Sequence, residues 1–266
     1  MAKIVDLAII IPTLNEENYI GKLLDSIAVQ TIQPREVVVV DAFSKDKTKF
    51  EVEKRQSLLP QLKFYQIPKS TSSRQRNLGV KKTTAPHILF LDADVFLKDH
   101  EALNKYYSEV LDRHPDLAAA TNLPADKPDA EIDNNDRISV KKIRSAVKKA
   151  ENTAIFVAAD VAFKATKPVW PMAMGINLYV KRESFEKVGG FDDKLRFAED
   201  HELVQRMVKA GNKFVFLKKP KIYTSTRRIE HEGKVQYITK MFISFIHNVT
   251  KGYRNNPTKY KYGHFK

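Results

Sequence analysis

The sequence predicts an α/β fold in which helices flank a mostly parallel central sheet. Two observations carry this prediction. Continuous apolar runs such as LAIIIP (7–12) and EVVVVD (36–41) are typical of strands that are buried on both faces. Segments with apolar residues at helical spacing lie between such runs, and alternating strands and helices produce a parallel sheet. The composition, 42% hydrophobic and 29% charged over 266 residues, suits a globular protein of one large domain or two small ones.

The predicted elements alternate along the chain. Strands are predicted at 7–12, 36–41, 62–67, 87–91 and 213–217, and helices at 15–30, 46–58, 72–83, 100–113 and 198–211. Asn15 is suited to cap the first helix, and residues 175–193 predict a strand, a short helix and a Gly-Gly turn. Residues 124–136 predict a loop before a mostly helical segment at 138–163. The basic helix in that segment either packs on its own domain or faces a membrane or a partner.

The chain is strongly basic and contains no cysteine. Its formal net charge is +14, and residues 218–266 hold 12 Lys and Arg against 2 Asp and Glu. Such a tail favours an anionic partner, such as membrane lipid or a phosphorylated substrate, or is a solvated face. No nucleic-acid motif accompanies it, so we expect no nucleic-acid partner. Any metal has to be held by Asp, Glu, His or water.

The sequence also indicates a location. We find no signal peptide at the first strand and no apolar stretch of the roughly 18 residues that a membrane span requires. We therefore expect a cytoplasmic protein, with peripheral attachment to the inner face of the membrane as the alternative.

Two aspartates, Asp92 and Asp94, directly follow the apolar run ILFL (88–91). Like charges this close raise each other's pKa unless something compensates them. A divalent cation resolves the conflict, because Mg²⁺ and Mn²⁺ prefer oxygen ligands and typically take one or two carboxylates plus substrate phosphates. The spacing alone occurs by chance in many loops, but its position at the end of a buried strand favours a metal site.

Further polar groups are expected at the same edge of the sheet, where ligands bind in such folds. Asp41 ends another strand, and Arg74, Arg76 and Asn77 lie on the first turns of a helix, where cations suit a diphosphate. The acidic cluster AEDHEL (198–203) opens a helix, where a carboxylate stays ionised and can accept a proton. Each group has a structural alternative as a cap or a helix-dipole residue, and it is their combination that favours a site.

Five segments, in this order, resemble the motifs of glycosyltransferase family 2: IIIPTLNEENYI, VVVVDAFSKDKT, SRQRNLGVKKTTAPHILFLDADV, GINLYVKRESFEKVGGFDD and AEDHEL. The resemblance covers roughly residues 5–217. It implies the Rossmann-like A-type glycosyltransferase fold. It further implies transfer of a sugar from a UDP- or GDP-linked donor to a hydroxyl of a glycan or lipid-linked acceptor, with inversion at the anomeric carbon.

The same resemblance implies roles for individual residues. Asp94 would bind the divalent metal, Mn²⁺ or Mg²⁺, and Asp200, with Glu199 beside it, would be the general base. Gly175 and Asn177 would contact the acceptor. The remaining residues would bind the nucleotide sugar: Pro12, Thr13, Asn15, Glu17, Asp41, Arg74, Asn77, Asp92 and Ala93. Beyond residue 217, YTSTRRIEHEG (223–233) resembles the Arg-Arg…Gly segment that follows the catalytic domain in some relatives, so Arg227 and Arg228 would close over the diphosphate of the nucleotide sugar or lie at the surface.

The chain departs from the family pattern in two places. Ala42 and Phe43 follow Asp41, where relatives commonly have a second Asp or a Gly and then a Gly. Phenylalanine lacks the freedom of glycine at positive φ, so this departure bears on the base contacts and the identity of the nucleotide. The stretch DADVFLKDH (92–100) lacks the Leu-Gln and prolines associated with polyprenyl-phosphate mannosyl and glucosyl transferases, which argues against a lipid monophosphate acceptor.

The motifs divide the chain into a catalytic domain at residues 1–217 and a basic extension at 218–266. Within the catalytic domain, the nucleotide-binding half is about 1–123 and the acceptor-binding half about 124–217. In the extension, residues 235–249 predict a helix with one apolar face, formed by Ile238, Met241, Phe242, Phe245 and Val249. That face suits an anionic membrane or lipid-linked acceptor, the enzyme itself, or a second subunit.

Three alternative functions remain open from the sequence. The first is a polyprenyl-phosphate glycosyltransferase, whose acceptor phosphate needs no base. The second is a sugar-phosphate nucleotidyltransferase on a related fold. The third is a basic adaptor with a degenerate transferase fold, which the intact acidic pairs at 92–94 and 199–200 argue against.

Overall fold

A computed structural model describes residues 2–125, 140–195 and 197–254, with side chains in the second range described from residue 146. Its strands are β1 (Lys3–Thr13), β2 (Ile32–Asp41), β3 (Leu62–Gln66), β4 (His87–Leu91), β5 (Val95–Phe96), β6 (Leu117–Ala125), β7 (Asn177–Lys181) and β8 (Phe214–Ser225). Its helices are α1 (Ile20–Ala28), α2 (Thr48–Glu53), α3 (Ser72–Lys81), α4 (Ala102–Arg113), α5 (Val140–Thr166), α6 (Arg182–Lys187), α7 (Glu199–Lys209), α8 (Arg227–Glu232) and α9 (Lys234–Lys251).

The described strands form one sheet of eight, in the order β3-β2-β1-β4-β7-β6-β8-β5. The pairs among β3, β2, β1 and β4 are parallel, whereas β7 runs antiparallel to both of its neighbours. Thr13 at the end of β1 lies opposite Asp41 at the end of β2. The predicted α/β class is therefore confirmed, and the parallel strands carry their C-terminal residues to one edge of the sheet.

The core lies on both faces of this sheet, because side chains alternate along each strand. Ile9 and Ile11 face one hydrophobic cluster, and Ile10 faces the other. On the second face, Gly79 lets α3 approach β1 closely, since a Cβ at this position would overlap Cγ2 of Ile10. This close approach brings the polar start of α3 to the edge where β1 and β2 end.

A buried carboxylate fastens β2 to the segment after α3. Glu36 accepts hydrogen bonds from Lys63 Nζ at 2.7 Å, from the backbone N–H of Thr84 at 3.1 Å and from the hydroxyl of Thr83. Burial alone would raise the pKa of Glu36, but these hydrogen bonds outweigh it and hold the pKa below its ordinary value. The ionised form of Glu36 is therefore the one that stabilises the fold.

Several predicted bounds shift in the structure. The first helix begins at Ile20 rather than at residue 15, and Asn15 does not cap it: Asn15 adopts φ 57° in the preceding turn, a conformation that asparagine tolerates. The predicted strand 213–217 continues to Ser225, so the proposed domain limit at residue 217 falls inside β8. The short strand β5 and the strand β6 are additions to the predicted set. Most of the predicted loop 124–136 lies outside the described residues.

The C-terminal extension folds back on the catalytic sheet. After β8, the short helix α8 leads into α9, whose buried residues are Ser244 and Asn248. Within the described ranges, none of the helices has the length and apolar character to cross a bilayer. Of the predicted apolar face of α9, Met241 and Phe245 are half-buried, whereas Ile238, Phe242 and Val249 are exposed.

Candidate active site

Asp41 is fully buried at the end of β2, and its carboxylate organises the turn that follows. It accepts hydrogen bonds from the Thr13 hydroxyl at 3.1 Å, the backbone N–H of Ser44 at 2.9 Å and the Gln66 amide at 3.0 Å. The Ser44 hydroxyl donates a further short hydrogen bond. Asp41 thus holds β1, β2 and β3 in register beside the predicted nucleotide pocket.

Next to Asp41, Phe43 adopts φ 62° although it has a bulky side chain. This left-handed conformation favours glycine, but a phenylalanine adopts it here, and the Lys45 ammonium lies 4.1 Å from the centroid of its ring. The ring borders a cavity of about 610 Å³ that is also lined by Asn15, Gln66 and Lys69. This cavity lies where the sequence predicts the base of the nucleotide.

The predicted residues after β1 join two loops. The Asn15 side-chain oxygen accepts from the backbone N–H of Lys45 at 2.9 Å, and Glu17 accepts from that of Lys47 at 3.0 Å. Together with the buried Pro12 and Thr13, they form the wall between the β1 and β2 ends. Their contacts order the loops around the 610 Å³ cavity.

A buried arginine links the two acidic motifs. Arg76 on α3 is only 3% exposed, and its guanidinium contacts Asp92 at 2.6 Å and Glu199 at 2.8 Å. Burial raises the pKa of Asp92 to about 6, although the Arg76 charge opposes the shift. Glu199 also accepts from the Ser72 hydroxyl at 2.6 Å. Glu199 therefore accepts hydrogen bonds from two residues of α3, Ser72 and Arg76, and these bonds fix the start of α7 against α3.

Asp200, the predicted general base, lies at the first turn of α7. Its carboxylate accepts from the backbone N–H of Gly175 at 2.5 Å and from that of His201 at 2.8 Å. A Cβ at position 175 would lie 3.2 Å from both Arg76 Nη2 and the Asp200 carboxylate, so glycine leaves room for this arrangement. The predicted acceptor residue Gly175 is thus brought to Asp200 through its backbone.

Asp94 has an arginine from the C-terminal segment as its neighbour. Arg227 Nε lies 3.3 Å from Asp94 Oδ2, and the two terminal nitrogens each lie 2.7 Å from an oxygen of Glu16. Burial raises the pKa of Asp94 against the charge of Arg227. Burial likewise raises the pKa of Glu16 to about 7, with Arg227 opposing. The residue predicted to bind metal is therefore paired with a cation of the protein itself.

The donor set fits a metal that takes one protein carboxylate. Among the residues the structure describes, no three His, Asp or Glu side chains cluster as a metal site. Mg²⁺ and Mn²⁺ commonly use one or two carboxylates, with substrate phosphates and water completing the shell. Asp94 supplies such a carboxylate at the end of β4, and Ala93 before it is buried. A metal there requires Arg227 to move or to share Asp94.

Three predicted residues lie apart from the contacts described so far. Arg74 is exposed on α3. The Asn77 amide donates to the backbone oxygen of Phe191 at 2.9 Å and to Asp193 at 2.7 Å, so it ties α3 to the turn after α6. Asn177 is fully buried in β7 and bonds to β6. In each case helix or strand geometry decides the direction of the side chain.

Arg76, which the sequence prediction did not assign to the nucleotide sugar, is the α3 residue that contacts the two acidic motifs. The burial of Arg76 is indicated in the sequence by its spacing from other residues of the helix. Ser73, Arg76 and Val80 lie three and four residues apart and form the buried face of α3. An arginine on such a face needs anionic partners, and the two acidic motifs supply them.

Part of this group, without Asp94 and Arg227, lines a large cavity of about 1140 Å³. Its polar end is formed by Arg76, Asp92, Glu199, Asp200 and Arg228. The guanidinium of Arg228 also lies 5.3 Å from the Tyr237 ring centroid. The rest of the cavity runs between α5 and α9.

Comparison with known proteins shows the family to which the chain belongs. The family model described as glycosyl transferase family 2 matches residues 8–189. The chain belongs to glycosyltransferase family 2. A second model, described as the N-terminal domain of galactosyltransferase, matches residues 159–232, which include Asp200 and the Arg227–Arg228 pair.

The curated relatives that this family 2 chain matches include two transferases named for the sugar they transfer. The chain is 29% identical over 216 residues to the O-antigen chain rhamnosyltransferase RfbN of Salmonella typhimurium, covering 79% of this chain and 63% of the relative. It is 37% identical over 114 residues to the poly(ribitol-phosphate) beta-N-acetylglucosaminyltransferase TarS of Staphylococcus aureus, covering 39% and 20%. The chain thus spans less than two thirds of either relative.

Solved structures show the same fold. Residues 1–349 of S. aureus TarS in complex with UDP-GlcNAc match with a TM-score of 0.60 at 21% identity, covering 84% of this chain and 59% of that one. The mannosyltransferase PcManGT of Pyrobaculum calidifontis, in complex with GDP-Man and Mn²⁺, matches with a TM-score of 0.61 at 20% identity, covering 89% and 64%. The A-type glycosyltransferase fold implied by the motifs is therefore confirmed.

Proposed function

We propose that this family 2 chain is a metal-dependent, inverting glycosyltransferase that uses a UDP- or GDP-linked sugar. One observation carries the proposal. The Arg76 guanidinium contacts both Asp92 and Glu199, and so joins the turn that carries Asp94 to the start of the helix that carries Asp200. This contact supports a site in which donor-binding and proton-accepting groups lie together.

The nucleotide lies in the cavity bordered by Phe43 and Asn15, with its diphosphate towards the end of β4. Asp94 would hold Mn²⁺ or Mg²⁺, which when bound neutralises the charge of the diphosphate leaving group. Arg227, which now pairs with Asp94 and Glu16, supplies a second positive charge next to that position. The relatives' complexes with UDP-GlcNAc and with GDP-Man and Mn²⁺ support such a donor.

The acceptor hydroxyl lies against Asp200. Its oxygen forms a bond to the anomeric carbon while the bond from that carbon to the diphosphate oxygen breaks, and its proton passes to the Asp200 carboxylate. Attack from the face opposite the leaving group inverts the anomeric configuration. The hydrogen bonds from Gly175 and His201 keep the carboxylate oriented for this transfer.

The acceptor in this proposal is a cell-envelope glycan or its lipid-linked precursor, as the names of RfbN and TarS suggest. The basic residues around α9 would hold the enzyme at the anionic inner face of a membrane. The division into a catalytic domain and a basic extension remains a proposal, with β8 continuous across residue 217.

Calorimetric titration of UDP and then GDP, with and without Mn²⁺, tests the donor site. We expect one nucleotide to bind in a Mn²⁺-dependent way in the wild type and in Asp112→Ala, an exposed aspartate on α4. Asp94→Ala should lose this dependence. Equal binding with and without Mn²⁺ would contradict the role of Asp94, and binding of neither nucleotide would contradict the proposal as a whole.

Substituting Asp200 by Asn tests the base. The amide keeps the shape and one acceptor oxygen but cannot take the proton, so transfer should fall by a factor of about 10² to 10⁴ while nucleotide binding stays unchanged. Activity close to the wild-type value would favour an acceptor phosphate, which needs no base.

A further inference from the structure

The 1140 Å³ cavity has two chemically different parts. Its charged residues are gathered at the end where Asp92, Glu199 and Asp200 lie. Beyond this end, the lining comes from α5 and α9 and consists largely of alkyl and aromatic side chains. Examples are Ala158, Ala162, Phe163, Met241, Phe242 and Phe245.

The size and lining of this cavity determine what it can hold. Its volume of about 1140 Å³ exceeds the roughly 300–1,000 Å³ of pockets that hold drug-sized ligands. A saccharide that filled the part between α5 and α9 would leave most of its hydroxyls against alkyl walls, and unpaired buried hydroxyls are unfavourable. The occupant therefore has a polar end near Asp200 and an apolar remainder.

Ion pairs connect α5, one wall of the apolar part, to the helices α8 and α9. Lys148 on α5 lies 3.1 Å from Glu230 on α8, and Glu151 on α5 pairs with Lys234 at the start of α9. The first pair links α5 to α8 and the second links α5 to the start of α9, so both fix α5 relative to the segment that carries α9. Ala154 and Ala158, one helical turn apart on α5, contribute little bulk between them.

The apolar lining continues to the protein surface along α9. Phe242 lines the cavity and is also 63% exposed, and its neighbours Ile243 and Ile246 are exposed outside it. Apart from Ser244 and Asn248, the α9 residues that line the cavity are apolar or aromatic, so an apolar chain has a largely apolar path from the surface along α9. A flat membrane surface or a second copy of the protein would cover this rim but would not fill a concave cavity that reaches Asp200.

We propose that the acceptor is a saccharide carried on an apolar chain, with the sugar at Asp200 and the chain between α5 and α9. This inference rests on the proposed function, because it makes the same Asp200 the base for a sugar hydroxyl. It is compatible with the absence of the polyprenyl-monophosphate signature after Asp94, since the reacting group is a hydroxyl and not a phosphate.

Titration of the full chain with hexyl, heptyl and octyl β-D-glucoside below their micelle concentrations, and with glucose, tests the chain-binding site. Each methylene that leaves water contributes about 0.8 kcal/mol, so the affinity should rise about fourfold per added methylene. Glucose alone should bind far more weakly than octyl glucoside. Binding of glucose as tight as that of octyl glucoside, or no dependence on chain length, would overturn the proposal.

Paired variants on one helix turn locate the site. Ala162→Phe fills the cavity and should weaken octyl glucoside binding at least tenfold. Val161→Phe introduces the same side chain at a neighbouring position that is 59% exposed and outside the cavity, and should leave the affinity within twofold of wild type. Equal losses in both variants, or none in either, would overturn the assignment to this cavity.

Nucleotide titration of the same proteins separates this inference from the proposed function. Both variants should bind UDP or GDP as the wild type does, which also shows that they are folded. Nucleotide binding without any alkyl glucoside binding would overturn the inference and leave the transferase proposal intact. The same holds if phosphatidylglycerol vesicles bind but alkyl glucosides do not, or if the only effect of Ala162→Phe is to abolish a dimer. A chain-length gradient without nucleotide binding would instead overturn the transferase function and the acceptor role, and leave an apolar-ligand site.

Discussion

Arg76→Gln is the most informative single change in this protein, because it removes the cation that two carboxylates share. The wild-type guanidinium is 3% exposed and lies 2.6 Å from Asp92 and 2.8 Å from Glu199. Glutamine keeps a polar amide of similar length but carries no charge. Both carboxylates would then stay at the edge of the core without their counter-ion.

The magnitude follows from the burial of the three groups. Removing one partner of a buried ion pair typically destabilises by about 3–5 kcal/mol. The Asp92 side chain is 31% exposed, so we expect the lower end, about 3 kcal/mol. One kcal/mol shifts the melting temperature of a domain of this size class by about 2–4 °C, which corresponds to a decrease of about 6–12 °C at pH 8.

The penalty should depend on pH, and its sign can be derived. Burial raises the pKa of Asp92 to about 6, above its ordinary value of 3.8, so its ionisation opposes folding as the pH rises through this range. Without Arg76 the pKa of Asp92 rises further. At pH 5 Asp92 is mostly protonated in both proteins, so the difference in the free energy of unfolding should be smaller at pH 5 than at pH 8.

Chemical denaturation at both pH values, followed by circular dichroism, measures this difference. Arg74→Gln is the matched control, because Arg74 is exposed two residues earlier on the same helix, and it should change the free energy of unfolding by less than about 0.5 kcal/mol. The reasoning is refuted if Arg76→Gln loses less than about 1 kcal/mol at pH 8, or if its penalty grows at pH 5.

Three further predictions follow from particular contacts. Glu36→Gln should lower the free energy of unfolding by about 1–3 kcal/mol at pH 7. Because the pKa of Glu36 lies below its ordinary value of 4.5, this difference from wild type should shrink as the pH falls below 4.5. A difference that stays constant in acid denaturation would contradict this. Phe43→Gly should raise the free energy of unfolding by up to about 1 kcal/mol, since a non-glycine residue at φ 62° is strained. The control Phe50→Gly in α2 should lower it, and urea titrations that rank the two variants the other way would show that Phe43 is unstrained. Arg227→Ala should tighten Mn²⁺ binding in the absence of nucleotide, because Asp94 loses a competing cation 3.3 Å away. Unchanged or weaker Mn²⁺ binding by calorimetry would show that Arg227 does not compete with the metal for Asp94.

Much of the fold was predictable because its signals are local. The runs LAIIIP and EVVVVD specify strands buried on both faces, and a strand buried on both faces requires helices above and below it. From this the position of Asp41 and Asp92 at one edge follows, since parallel strands end on the same side. The family motifs then predicted a glycosyltransferase domain, and the family match over residues 8–189 bears this out.

Side-chain directions and helix starts were less predictable. Asn15 resembles a helix cap in sequence, but the hydrogen bond from the backbone of Lys45 holds it in a turn. Arg74 and Asn77 are residue types that commonly bind phosphate. The rotation of α3 on β1, however, directs Arg76 towards the carboxylates and Asn77 towards the backbone of Phe191. A rotation of this kind depends on the packing of Gly79 against Ile10, which lies far away in the sequence.

The fold class, the family and the acidic motifs could be predicted from residue type and short-range order alone. Two features could not: Arg227 pairs with Asp94, which lies more than 130 residues earlier, and α5 and α9 line the largely apolar part of a cavity that reaches Asp200. Both features arise from contacts between segments that are remote along the chain. Their partners are selected by the three-dimensional path of the backbone, which no local pattern of residues encodes.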